Sequence, residues 1–177
     1  MTPERRAIET QVLYMNMIDY WYEVDLRGGA GVSQMYVEDG IFHGGPGKPL
    51  VGRAAIEQFY TWRQDRGART SRHVITNFRA EFTDETHATT YCVMMLYAAD
   101  GTPVLPTAPP IIITDLIDRC VKCDDDRWRY LERTFVPLFM GGAPPTVAPE
   151  SIAEKFNSDL KTGNSDQKTG NSGQKKD

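Results

Sequence analysis

No stretch of the 177 residues comes near the roughly 18 consecutive apolar residues of a membrane-spanning helix, so a membrane partner is not expected. Clustered basic residues are missing too. The chain carries a formal charge of −4; residues 155–177 hold five Lys and three Asp and contribute +2, which leaves −6 on the rest. A mildly acidic body cannot neutralise phosphates, so no nucleic-acid partner is expected. Cysteine is scarce and odd in number, Cys92, Cys120 and Cys123, which argues against a disulfide framework. Cys120 and Cys123 have CxxC spacing, but they close a β-branched run instead of opening a helix, and no second CxxC completes a zinc site. None of the three histidines forms H-x-H or H-E-x-x-H, so no metal is expected. Gly44-Gly45-Pro46-Gly47 lacks the Lys-Ser/Thr and following helix of a phosphate loop, and no cofactor is expected. The opening Met1-Thr2-Pro3-Glu4-Arg5-Arg6 leads into an amphipathic pattern and not a signal-peptide apolar stretch, so cytoplasmic residence is the expectation.

What the sequence does contain is a change of period part-way along the chain. Thr2 is an N-cap candidate and Pro3 suits the first helical position. Ile8, Val12, Met15, Ile18, Trp21 and Tyr22 then recur at helical spacing, predicting a long helix that runs to about Leu26 and stops at Gly28-Gly29. A short second helix is expected over Gly31–Val37 and a short strand at Ile41–His43. A third helix runs from Gly52 to near Gly67, with Ala55, Ile56, Phe59, Tyr60 and Arg63 along one stripe. From Ser71 onward the period becomes that of strands: Arg72–Phe82, His87–Ala98, Ile111–Lys122 and Arg127–Phe139. Thr83–Thr86 forms the first connection, and the Pro- and Thr-rich Ala99–Pro110 is a loop. Helices followed by long antiparallel strands predict an α+β fold, a curved sheet wrapping a long helix. The domain should cover residues 1–145. An extension over 146–160 includes a short helix at Pro149–Phe156. Residues 161–177 read as a solvated tail, because Lys161–Gln167 is nearly repeated as Lys168–Gln174 with no apolar residue to bury.

Two residues point to chemistry. Tyr14, Ile18, Trp21 and Asp25 lie at i, i+4, i+7 and i+11 and share one helix face. A carboxylate there loses hydration and meets the negative end of the helix dipole, and both effects should raise its pKa. His73 sits at the start of a strand whose alternation puts His73, Ile75 and Asn77 on one face and Val74, Thr76 and Phe78 on the other. An Asp at a helix end bonded to a strand His would form an acid–base pair. The carboxylate fixes the tautomer and the free nitrogen takes a substrate proton. His43, ahead of Gly44-Gly45, is a candidate for the pocket mouth, and His87 is expected to face solvent.

Tyr20-x4-Asp25, Gly52-Arg53-Ala54-Ala55-Ile56, Arg72-His73-Val74-Ile75-Thr76-Asn77-Phe78-Arg79 and Trp128-x4-Arg133 together resemble the SnoaL-like branch of the superfamily that includes ketosteroid isomerase, scytalone dehydratase and nuclear transport factor two. The resemblance spans about residues 5–140. It implies a cone-shaped curved antiparallel sheet around the first helix, three helices and an enclosed apolar pocket. It also implies a cofactor-independent lyase resembling bile-acid dehydratase, scytalone dehydratase and hexachlorocyclohexane dehydrochlorinase. In that scheme His73 abstracts a proton, Asp25 orients it, Tyr20 hydrogen-bonds a leaving or carbonyl oxygen, and Arg133 stabilises developing negative charge. Trp21, Tyr14, Asn77 and His43 would contact the substrate, as would Tyr22, which lies closer to Asp25 on helical spacing than Tyr20 does. The Tyr plus protonated Asp of ketosteroid isomerase has no counterpart among these residues. The expected substrate is a small, largely apolar hydroxylated aromatic, terpenoid or steroid-like compound. Isomerisation or cyclisation by the same dyad, a non-catalytic binding module and a dioxygenase β-type subunit are the alternatives. A homodimer or homotrimer is expected through the outer face of the sheet.

Overall fold

The computed structural model describes residues 1–44, 47–141, 150–152 and 154. The first helix, α1 (Pro3–Leu26), begins where Thr2 Oγ1 accepts the Arg5 backbone N–H. It ends at Gly28 and Gly29, both at positive φ. Its buried stripe of Leu13, Met17, Tyr20, Trp21 and Val24 recurs at helical spacing. Asp25 lies on the flank of that stripe which faces β3 (Arg69–Phe82). Gly29 is placed by packing as well as by backbone: a Cβ there would stand 2.2 Å from the ring of Tyr60.

The short second helix expected over Gly31–Val37 is only a 3-10 turn, Val32–Met35, because Tyr36 already opens strand β1 (Tyr36–His43). A two-residue strand, β2 (Leu50–Val51), precedes α2 (Arg53–Asp65). Arg53 fastens α2 to β1 by donating to the Tyr36 carbonyl oxygen at 2.7 Å and pairing with Glu38 at 3.1 Å. The remaining strands are β4 (His87–Asp100), β5 (Ile112–Lys122) and β6 (Trp128–Met140). Their order in the sheet is β2-β1-β6-β5-β4-β3. The sheet is curved and mixed, not wholly antiparallel as expected, since β1 runs parallel to β6. Five elements separate these two strands in sequence, so no hairpin dictates their direction.

Two bulges decide which side chains point inward. On β3 the register breaks between Thr76↔Val93 and Arg79↔Tyr91, where Asn77 takes φ 55°. Before the break Ser71, His73 and Ile75 face in; after it Phe78, Ala80 and Phe82 do. On β6 the register shifts around Leu131, so Trp128 and Tyr130 face in below it and Arg133 and Phe135 above. The end of the sheet near β6's start is closed by a buried carboxylate. Glu9 accepts from Trp128 Nε1 at 2.7 Å and Lys122 Nζ at 2.9 Å. Past the sheet, Glu150–Ile152 and Glu154 are helical, with Lys48 Nζ 2.9 Å from Glu154. The rest of the expected extension and the polar tail lie outside the described residues. Among the described residues no helix is long and apolar enough to cross a membrane.

Candidate active site

Asp25 and His73 meet. Their side chains are almost wholly buried, with Asp25 Oδ1 2.7 Å from His73 Nδ1. The same carboxylate accepts the Ser71 hydroxyl at 2.7 Å on Oδ1 and the His73 backbone N–H at 2.7 Å on Oδ2. Strand alternation explains the set: Ser71 and His73 are two residues apart on one face of β3, directly opposite the end of α1. The Asp25 pKa is not raised, as the sequence suggested, but lowered. Burial opposes its charge most strongly of any single effect, yet the hydrogen bonds and charge supplied by His73, together with Ser71 and the backbone, outweigh it. His73 also sits below its ordinary value. Burial disfavours imidazolium, Asp25 favours it, and Arg63 and Arg133 add to the disfavour. The resting state is therefore a carboxylate beside a neutral ring. Nδ1–H donates to Asp25, and Nε2 keeps its lone pair. Trp21 stacks on the imidazole at 4.0 Å and 15° between planes.

His73 borders a cavity of about 70 Å³. Its apolar walls include Trp21, Phe42, Phe59, Met94 and Phe135. Its polar contributors beyond His73 are Ser71, Tyr60, Arg63 and Arg69. None of these four was expected at the site from the sequence. Ser71 was signalled by standing two residues before His73, and Tyr60 and Arg63 by sharing the inner stripe of α2. Tyr60 Oη lies 2.7 Å from Tyr20 Oη, which in turn is 3.2 Å from Tyr36 Oη. Burial, then the neighbouring Tyr20, pushes the Tyr60 pKa well up, so its hydroxyl keeps its proton.

The other expected site residues lie elsewhere. Tyr20 is fully buried at the centre of the tyrosine chain, with Tyr60 between it and the cavity. Arg133 is likewise sealed: both it and its cross-strand partner Asp118 have 0% exposure and share bonds of 2.8 and 2.7 Å. Its guanidinium packs over the rings of Tyr20 and Tyr130 at 3.8 and 4.2 Å. Burial works against its charge, but Asp118 outweighs that and holds Arg133 protonated. The sequence signal for this pair was Asp118 itself, a carboxylate on the apolar phase of Ile112, Thr114 and Leu116. Tyr22 is 52% exposed, under the Arg27 guanidinium, because it falls outside the inner stripe of α1. Tyr14 contacts Phe78 instead of the cavity, being eleven residues, or about 16 Å of helix, from Asp25. The bulge turns Asn77 out to solvent. His43 bonds Glu132 at 2.9 Å and is not part of the cavity wall. Trp21 is the one expected contact residue that lines it. Among the described residues no three His, Cys, Asp or Glu side chains converge as metal ligands would.

Comparison with known proteins places this geometry. The sequence model of the SnoaL-like domain matches residues 16–134, about two-thirds of the chain. The chain belongs to the SnoaL-like family. Among solved structures, this SnoaL-like protein resembles a candidate scytalone dehydratase from Novosphingobium aromaticivorans. The two share 20% identity over 83% of this chain and 95% of that one, with a TM-score of 0.71. A Mycobacterium tuberculosis protein of unknown function shares 21% identity over 91% and 92%, with a TM-score of 0.66. A candidate aromatic ring hydroxylase from N. aromaticivorans shares 17% over 86% and 99%, with a TM-score of 0.62. At such identities the likeness is one of fold. No curated protein matches the SnoaL-like chain in sequence.

Proposed function

We propose that this SnoaL-like protein is a cofactor-independent lyase that performs dehydratase-type β-elimination on a small, largely apolar hydroxylated compound. The observation that carries the reading is the 2.7 Å bond between Asp25 and the Nδ1 of a neutral His73 at the wall of an apolar cavity. His73 Nε2 removes a proton from a carbon next to an activating group. The electron pair of that C–H bond becomes the new C=C, and the hydroxyl on the adjacent carbon, whose oxygen accepts a hydrogen bond from Tyr60, leaves as water with the proton that His73 took, which returns the ring to its neutral form. Asp25 holds the ring and balances the imidazolium that forms. The hydrogen-bonded Tyr20 and Tyr36 support Tyr60, and the sealed Arg133 acts only through its field. A cavity of about 70 Å³ is far below the roughly 300–1,000 Å³ of sites for drug-sized ligands. The terpenoid and steroid-like end of the expected substrate range is therefore too large for the cavity itself.

The simplest test compound is 3-hydroxycyclohexanone, whose dehydration to the conjugated enone is followed by ultraviolet absorbance. The unaltered protein should accelerate enone formation and His73→Ala should not. If the two behave alike, the lyase reading falls and binding alone remains. The outer face of the sheet leaves Val74, Tyr91, Tyr97, Val136 and Phe139 exposed, Phe139 at 68%. That patch supports self-association, which light scattering of the unaltered chain and of a Tyr91→Asp/Val136→Asp variant checks: the variant should be the smaller particle.

A further inference from the structure

Arg63 is a partly buried cation whose two hydrogen bonds both go to neutral oxygens, the Val24 carbonyl at 3.2 Å and Ser71 Oγ at 3.3 Å. Arg69, whose side chain is only 12% exposed, is paired with the outward Asp100 at 2.7 Å. Both guanidiniums line the cavity beside His73. Both also line a second recess of about 320 Å³, bounded further out by Leu26, Gln64 and Gly67. Val24 and Ser71 belong to both walls as well. Cavity and recess are thus adjoining chambers with the two arginines in the partition. The carboxylate in the wall of the recess, Asp25, already has its oxygens taken by Ser71 and His73.

A covered cation normally has an anionic partner, and the guanidinium fork of Arg63 matches a carboxylate better than it matches two separate neutral acceptors. We propose that the outer recess receives the carboxylate of the same ligand whose ring occupies the cavity, with Arg63 as the residue that selects for it. The inference rests on His73 marking a ligand pocket and adds the charge and the length of that ligand. It also accounts for the unequal chambers. A small apolar cavity that shares four wall residues with a larger polar recess suits an elongated acid, in which a flexible chain carries the charge away from the reacting ring.

The test is calorimetric titration of the full chain with 3-phenylpropanoate, 3-phenylpropanamide and 3-phenylpropanol, with the His73 imidazole signal followed by NMR. The acid should bind the unaltered protein at least about tenfold more tightly than the amide, as a charge-assisted pair should. Added salt should erode that preference. Arg63→Gln should reduce it to below about threefold, Arg63→Lys should retain more of it, and Arg69→Gln should lower it less than Arg63→Gln does. Equal affinity for acid and amide, or a preference that survives Arg63→Gln, overturns the anionic recess. The pocket reading then still stands, provided the neutral probes shift the His73 signal. If none of the three probes shifts that signal, the pocket reading fails and the recess fails with it. Arg63 also ties α2 to α1 and β3. Should Arg63→Gln not fold, the salt dependence and Arg69→Gln decide in its place: a preference indifferent to both sinks the proposal.

Discussion

Two of the pairs of a carboxylate with a nitrogen base among the described residues do opposite things. Asp118 and Arg133 face each other across β5 and β6, fully enclosed. Asp25 and His73 join the end of α1 to β3 at nearly the same depth, but the ring borders empty space. Arginine keeps its proton at any accessible pH, so the enclosed pair is a structural element. Histidine held neutral can change state, and only beside a cavity does that matter to a ligand. A small difference in burial therefore does not by itself set the two pairs apart. Access and a titratable base do.

The comparison can be broken most decisively at the enclosed pair. Asp118→Ala leaves a buried guanidinium alone and should cost about 3–5 kcal/mol, whereas replacing both partners with apolar residues (Asp118→Leu with Arg133→Met) should cost much less. Denaturant unfolding measures both. If Asp118→Ala melts no earlier than His73→Ala, the division of roles is wrong. His73→Ala should lower the proposed elimination rate by about 10²–10⁴ while shifting the unfolding midpoint less than Asp118→Ala. Acidity sharpens the contrast. Because folding depresses the His73 pKa below the unfolded value, the unfolded chain binds the extra proton first as pH falls below about 6.5. Stability should thus fall with pH across the window between the unfolded and the lower folded value. The Asp25 contribution, present above its unfolded pKa, is lost at more acid pH still. The acid limb of kcat/KM should lie below pH 6.5, and a limb above neutrality would contradict a neutral buried base. The smallest effect expected is that of Tyr60→Phe, which removes one hydroxyl at a cost of about 1 kcal/mol in stability. It should slow elimination more than Tyr20→Phe does, because Tyr60 alone of the two borders the cavity.

Periodicity and turn residues made most of the fold legible. The ends of α1 and α2 and the four long strands fall within a few residues of where Gly, Pro and the change of period put them. The 3-10 turn, β2 and the parallel β1–β6 pairing were not legible, since each depends on contacts between residues far apart in sequence. At the site, spacing placed Asp25 and Trp21 on one helix face, and the family resemblance paired Asp25 with His73. Asn77 could not, because strict alternation has no place for an extra residue. Arg133 was misread for a related reason: strand position says that a side chain points inward, not whether another charge already holds it. Arg63 and Tyr60 belong to a stripe that the sequence presented only as packing.

The bulge at Asn77 makes β3 behave as two storeys with a seam between them. Substitutions in the upper storey can retailor the cavity around Ser71 without disturbing Phe78, Ala80 and Phe82 below. Loss of the extra residue is another matter, because it would invert one whole storey at once, sending either the imidazole or the lower aromatic floor to solvent. In this strand the tolerated path of change is replacement, and the forbidden one is a single deletion.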